Sequence, residues 1–273
     1  MAATTEQLTT LLSTWRQWNT VVPLAAQPTL GTPLAEGSGH RLYALEESPS
    51  LCLRLRHRPT SPIRGGFSRE ISAWGHAAVK ELAPRLAYVA STEEVVICER
   101  LYHEDQAISG DALGALARAI HQLPETPYSL CLHEVIDDYL LQMPAEKRRQ
   151  WRSVVDDPRT SRALELLEQD TPRLCHNDLT AGNLLYRQGQ WVAIDWEYAA
   201  MGSRYFDVAI AMEGLPREEQ GALLNAVFHG ELDEALLAAG KQVSQLCTRL
   251  WQQCFAADSL VDRPISLPQG HLQ

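Results

Sequence analysis

The sequence predicts an α+β fold on three observations. Within the first hundred residues, apolar runs at 34–45, 51–56, 85–89 and 95–98 carry the two-residue alternation of strands. From residue 111 onward the apolar positions recur at helical spacing, as in Leu113, Leu116, Ile120 and Leu123. One hairpin pattern interrupts that helical half: apolar runs at 184–186 and 191–194, joined by a Gln188-Gly189-Gln190 turn.

Taken in order, residues 4–19 predict a helix with Leu8, Leu11, Leu12, Trp15 and Trp18 on one face. Pro23, Pro28 and Pro33 punctuate an extended segment. A Ser-Pro-Ser turn then joins 34–45 to 51–56 as a hairpin. Gly37, Ser38 and Gly39, at the first strand's turn, offer backbone N–H groups to a phosphate, although any tight turn uses such residues. On the second strand Leu51, Leu53 and Leu55 face one way, Arg54 and Arg56 the other. Residues 58–66, with Pro59, Pro62 and a glycine pair, read as a loop. Phe67, Ile71, Trp74 and Ala78 mark a helix with Glu70 near its start, where the helix dipole favours an acid. Asp111 is the predicted N-cap of the next helix. Residues 131–168 are helical by pattern, broken at Pro144 and at 156–158, and Asp137-Asp138 read as a solvated helix face. Helices at 216–239 and 242–257 follow, and the tail after Asp262, with Pro264 and Pro268, reads as loosely held.

The chain is organised around residues 174–197. Asp178 and Asn183 lie on the loop entering the hairpin, and Asp195 closes its second strand. This geometry gathers two carboxylates and an amide at the hairpin's open end. Such oxygen ligands suit a hard cation such as Mg2+, which takes further ligands from substrate phosphates. The chemistry requiring this arrangement is phosphoryl transfer, in which one Asp orients an attacking hydroxyl while an Asn and a second Asp hold metal ions.

The stretch His176-Asn177-Asp178-Leu179-x-x-Gly182-Asn183, together with Ile194-Asp195-Trp196-Glu197-Tyr198-Ala199, resembles the aminoglycoside phosphotransferase and choline kinase superfamily. The choline kinase and thiamine kinase branch is the most similar. The resemblance runs in order along nearly the whole chain and is most specific over 174–209. It implies a protein-kinase-like two-lobe fold. A nucleotide-binding lobe would span 1–98, a linker 99–110, and a catalytic and substrate-binding lobe 111–273. It implies ATP and Mg2+ as cofactors, Asp178 as catalytic base, and Asn183 and Asp195 as metal ligands. Arg54 stands where kinases carry a phosphate-pairing Lys, with Arg56 one alternation away as the other candidate, and Glu70 on the next helix would pair with that cation. Arg can grip phosphate bidentately, so the role survives the change from Lys. Glu99 falls where the linker's backbone meets adenine. Leu116 to Pro124 resembles a Leu-x-x-Leu-His-x-Leu-Pro signature in which His121 is structural. His176 is expected to pack within the loop, and Asp207, in Phe206-Asp207-Val208-Ala209, to brace it. Asn177 replaces the Arg through which regulated protein kinases answer phosphorylation, pointing to a small-molecule kinase.

Trp196, Glu197 and Tyr198, with Trp251, combine an acid with aromatic rings, as sites for quaternary ammonium groups do. For both Trp residues core packing is the competing expectation. The implied function is ATP- and Mg2+-dependent phosphorylation of a small-molecule hydroxyl, with choline, ethanolamine or thiamine ahead of an aminoglycoside or sugar. An inactive nucleotide-binding scaffold remains the alternative from a different class, because the strand Lys is Arg and the glycine turn is sparse. A phosphate-releasing hydrolase is a third.

Composition narrows the partners. A chain of 273 residues with 45% hydrophobic and 21% charged residues reads as globular, and its net charge of −10 disfavours nucleic acid and anionic membranes. Six scattered cysteines without a Cys-x-x-Cys pair predict reduced thiols and a cytoplasmic setting, with no export signal or membrane span. His40, His57, His103, His133 and His229 show no metal-ligand spacing, so no zinc site is expected.

Overall fold

A computed structural model describes residues 5–37, 39–57, 63–102 and 106–259. Helix α1 (Thr5–Ser13) precedes strands β1 (Thr29–Glu36), β2 (His40–Glu46) and β3 (Leu51–Arg56). Helix α2 (Gly66–Val79) then leads to β4 (Leu86–Ala90) and β5 (Val95–Glu99). These strands form one antiparallel sheet in the order β1-β2-β3-β5-β4. Its alternation sorts two cores. Leu45, Leu53, Leu55, Val95 and Ile97 pack on α1 through Leu8, Leu11 and Leu12. On the opposite face, Cys52, Val96 and Cys98 join Phe67, Trp74 and Ala77 of α2. Central β3 is therefore buried on both faces, and its two arginines enter a core rather than solvent.

The remaining chain is mostly helical: α3 (Gly110–His121), α4 (Leu132–Gln142), α5 (Ala145–Val155), α6 (Pro158–Gln169), α7 (Arg204–Glu213), α8 (Arg217–Phe228) and α9 (Glu234–Ser259). Two small two-stranded units lie between α6 and α7. Strand β6 (Arg173–Cys175) pairs with β9 (Ala200–Gly202), and β7 (Leu184–Arg187) pairs with β8 (Gln190–Ala193). The β7–β8 turn uses Gln188 and Gly189 at φ 50° and 91°, the left-handed conformations a tight hairpin needs. Its tip is tied to the sheet domain: Arg187 donates to the Glu99 carboxylate at 3.0 Å and to the Glu81 carbonyl at 2.8 Å.

Three expectations are corrected in detail. The first helix stops at Ser13 and gives way to a short turn at Trp15–Gln17. There Thr14 Oγ1 donates to the Leu11 carbonyl and accepts from the Trp18 indole, offering the backbone a way out of the helix. The run 34–45 is not one strand but the end of β1, a turn closed by Gly37 N donating to His40 O at 2.8 Å, and β2. Pro33 is tolerated because β1 is an edge strand. The N-cap of α3 is Ser109, whose hydroxyl accepts from Ala112 N, and Asp111 lies inside the first turn. No helix among the described residues is long and apolar enough to cross a membrane.

Helices α3 and α8 approach closely at Gly114, where an added Cβ would stand 2.7 Å from both the Ala226 Cβ and the Leu223 carbonyl. Backbone and methyl carbon cannot yield cheaply, so Gly114→Val is expected to destabilise the fold by about 1–3 kcal/mol. Urea unfolding checks this, and an unchanged midpoint would show that the helices separate freely.

Candidate active site

The site is assembled by β3, α2, the loop from β6 to β7, and the turn after β8. After β6, residues 176–180 run without regular structure into a short turn at Ala181–Asn183. Two backbone positions there are unusual: Asn177 and Asp195 both adopt φ 62°, a conformation non-glycine residues rarely hold without support. The support is visible. Asp207 Oδ1 accepts from Asn177 N at 2.6 Å, Asn177 Nδ2 donates to the Tyr198 carbonyl at 3.0 Å, and Asp207 Oδ2 bonds His121 Nε2 at 2.7 Å. His176 is fully buried, packed edge-on against Trp196 and bonded through Nε2 to the Ile194 carbonyl at 3.0 Å. Burial holds His176 below the usual imidazole range, so its ring is a neutral brace.

Asn183 Nδ2 donates to Asp178 Oδ2 at 2.6 Å and to the Asp178 carbonyl at 3.0 Å. The carboxylate requires the amide's NH2, which turns the Asn183 carbonyl oxygen the other way. Burial and the Asp195 charge push the Asp178 carboxyl up to about 7. Across the site, Arg54 Nη2 donates to Asp195 Oδ1 at 2.8 Å, and Arg54 Nη1 donates to Glu70. Arg54 also bonds His40 Nδ1 at 3.0 Å and lies over the Trp74 ring at 5.5 Å. Burial opposes the Arg54 charge, but Glu70, Asp195 and Glu197 more than offset it and hold the guanidinium above its ordinary range. Burial followed by the Arg54 charge presses His40 down to about 2, so it accepts rather than carries charge. Arg56, the other candidate, reaches Glu94 at 3.4 Å instead.

Two cavities meet at Asp195. One, of about 680 Å³, lies under the sheet and is lined by Gly37, Gly39, Arg54, Glu99, Asn183 and Asp195. The other, of about 380 Å³, opens on the helical side and is lined by Asp178, Asp195, Glu197, Tyr198 and Trp251. Ser38 lies outside the described residues. Glu70 does not line the first cavity. It is 1% exposed behind Arg54 and acts only through it. The Glu99 side chain is occupied by Arg187 and by Arg85 N, leaving its backbone at the cavity edge.

Trp196 must be corrected. Its indole is fully buried and donates to the Ala193 carbonyl at 3.0 Å, so it presents no surface to a substrate. After β8 the chain enters a 3-10 turn at Trp196–Tyr198, which points Trp196 inward against His176 and leaves Tyr198 lining the cavity. Three residues were missed. Arg69, adjacent to Glu70, crosses from α2 to the carbonyls of Glu197 at 2.5 Å and Ala199 at 3.2 Å. Its place beside Glu70 in an Arg-Glu pair was the available signal. His40 follows the glycine turn, but only the sheet brings it to Arg54 and Asp195. Glu213, ending α7, lines the second cavity and accepts from Ser244 of α9 at 3.1 Å, with no sequence signal at all.

Sheet, helical half and acidic loop together define a phosphotransferase of the protein-kinase-like fold. Residues 31–242 match the model of the phosphotransferase enzyme family, and the chain belongs to that family. Solved structures share the fold. A choline/ethanolamine kinase family protein from Mesorhizobium loti is 21% identical, with TM-score 0.65 over 94% of this chain and 89% of that one. The choline kinase LicA from Streptococcus pneumoniae is 15% identical, with TM-score 0.68 over 94% and 92%. The streptomycin–ATP–APH(2")-IIa ternary complex is 14% identical, with TM-score 0.57 over 93% and 90%. No curated protein matches.

The Asp178 carboxyl generates a direct test on metal-free protein. Carbon-13 NMR should find it titrating at about 7, and Asp195→Asn should lower that value by removing the like charge. No change in the variant would mean that burial alone raises it.

Proposed function

We propose that the chain is an ATP-dependent kinase phosphorylating a hydroxyl group on a small cationic molecule. One observation carries the reading: Asp195 lines both cavities, with Asn183 in one and Asp178 in the other. A donor held under the sheet and an acceptor held among the helices would therefore meet at Asp178, Asn183 and Asp195. In this reading Asp178 Oδ1 or Oδ2 accepts the acceptor's hydroxyl proton and aims its oxygen. A group drawn toward neutral pH suits that task, because it gains a proton without large penalty. Arg54, held by Glu70 and His40, presents positive charge to phosphate oxygens.

The donor set also fits Mg2+. The outward carbonyl oxygen of Asn183 and the carboxylate of Asp195 are hard oxygen ligands, and they would hold the ion. Bound Mg2+ supplies charge neutralisation at phosphate oxygens.

The second cavity supports a cation as acceptor. Its described lining holds four carboxylates, Asp178, Asp195, Glu197 and Glu213, and no Lys, Arg or His. Tyr139, Tyr198, Phe206 and Trp251 add aromatic faces, where a quaternary ammonium is attracted to the ring quadrupole. Ile63, Leu130, Leu132 and Val135 make much of the remaining wall apolar. That favours a compact amphiphilic cation such as choline, ethanolamine or thiamine over a polyhydroxylated aminoglycoside, whose many polar groups would go unpaired. A scaffold without turnover is the second reading, favoured by the engagement of Arg54 with Asp195 in place of an open cation.

The test is nucleotide consumption over a panel of choline, ethanolamine, thiamine, amino sugars and aminoglycosides, with Asp178→Asn alongside. Turnover should require an acceptor. The variant should lose on the order of 10²- to 10⁴-fold in kcat while still binding nucleotide. Binding without turnover on any acceptor would favour the scaffold, and ATP loss with no acceptor a hydrolase. Turnover undiminished in the variant would remove Asp178 from the role of base.

A further inference from the structure

Cys52 of β3 and Cys98 of β5 are direct cross-strand partners, and their sulfurs stand 3.6 Å apart. Both are free thiols, and both line the cavity under the sheet. Residues 50 and 100 share a backbone hydrogen bond two positions along, so the pair occupies a hydrogen-bonded site of the ladder. Cα atoms at such sites lie about 5.5 Å apart, inside the span a disulfide bridges. The residues are only 3% and 4% exposed, so the cavity is their route to solvent.

We propose that Cys52 and Cys98 form a reversible oxidation site in the wall of the nucleotide cavity, closed to a disulfide by peroxide when the cavity is empty and shielded when nucleotide fills it. The electron count is simple. Peroxide takes two electrons from the Cys52 sulfur, giving a sulfenic acid and one water. The Cys98 sulfur then attacks the Cys52 sulfur, the S–S bond forms, and the hydroxyl leaves as a second water. A dithiol reductant restores both thiols and is itself oxidised to a disulfide. Cys52 suits the first role, because its hydrogen bond with the Cys98 thiol, helped by Arg100 and Arg54, favours its thiolate despite burial.

Bond formation draws the sulfurs from 3.6 Å to about 2.0 Å and turns both side chains toward each other in the cavity wall. Both strands carry cavity residues close by. Arg54 is two residues beyond Cys52, and Glu99 follows Cys98 directly. A bridge lining the empty cavity is open to a small dithiol reductant through it, and accessible disulfides are among the readily reduced ones. The expected consequence is weaker nucleotide binding that a reductant reverses.

The experiment treats the full chain with hydrogen peroxide, with and without saturating Mg-ATP. It maps disulfides by peptide mass spectrometry and measures ATP binding by calorimetry. Without nucleotide, the Cys52 and Cys98 peptides should appear linked, lighter by two hydrogens, and ATP affinity should fall about tenfold or more. Dithiothreitol should restore both, and Mg-ATP should slow the linkage. Cys52→Ser and Cys98→Ser, each compared with its own untreated baseline, should show no peroxide-dependent change in affinity. Absence of the linked peptides, linkage unaffected by nucleotide that does bind, or linkage with unchanged affinity for that nucleotide would each overturn the proposal. The protection arm rests on the nucleotide reading of this cavity, whereas the mapping does not. A chain that links these cysteines but never binds ATP would sink that reading and the shielding together, and leave the oxidation site itself established.

Discussion

The buried guanidinium of Arg54 is the contact on which the rest of the site depends. It touches Glu70 on α2 and Asp195 at the end of the late hairpin, and so ties the sheet, its helix and the helical half through one cation. Glu70 is almost inaccessible to solvent and would be costly as a lone charge. Breaking one partner of such a group is worse than never having built it, because the remaining charge stays buried. Neutral His40 and the Trp74 ring complete the cage, taking one guanidinium N–H and one face. A single side chain thereby couples the cavity under the sheet to the carboxylates opposite.

A second brace works behind the loop. Asp207 divides its oxygens between Asn177 N and His121, while Arg69 takes the carbonyls of Glu197 and Ala199. These bonds hold Asn177 at positive φ and, with Arg54, brace the segment on which Asp195 also adopts positive φ, beside the candidate catalytic groups. Strain of order 1–3 kcal/mol at each position persists only where the surroundings over-determine it. Fully buried Trp196 and His176 supply that rigidity by filling the space beneath the loop.

The same architecture concentrates negative charge. Asp178, Asp195, Glu197 and Asp207 lie close enough that the first is drawn up to about 7, after burial, by the fields of the others. A site of this kind is incomplete by itself and favours cations. Under the proposed function, metal ions at the phosphates and a positively charged acceptor would be two ways of satisfying one electrostatic demand.

The candidate residues of chemistry could be read from the sequence because their spacing is local. An Asp, an Asn and a second Asp around a hairpin can be read from one short stretch, and strand alternation on β3 sorted its leucines from its arginines. The two-period and helical patterns likewise determined the order of sheet and helices, since each reflects which side of an element must leave water. What lay beyond the sequence was everything set by contacts between distant segments. Arg54 is separated from Arg56 only by which of them meets Asp195 across 141 positions. Trp196 and Tyr198 are near neighbours with equal claims on paper, yet packing against His176 buries one and leaves the other lining the cavity. His40, Glu213 and the Cys52–Cys98 pair gain their meaning from strands and helices brought together by the fold. Local periodicity fixes which face of an element is buried, but not what it is buried against, and that second fact is decided only when the layers close.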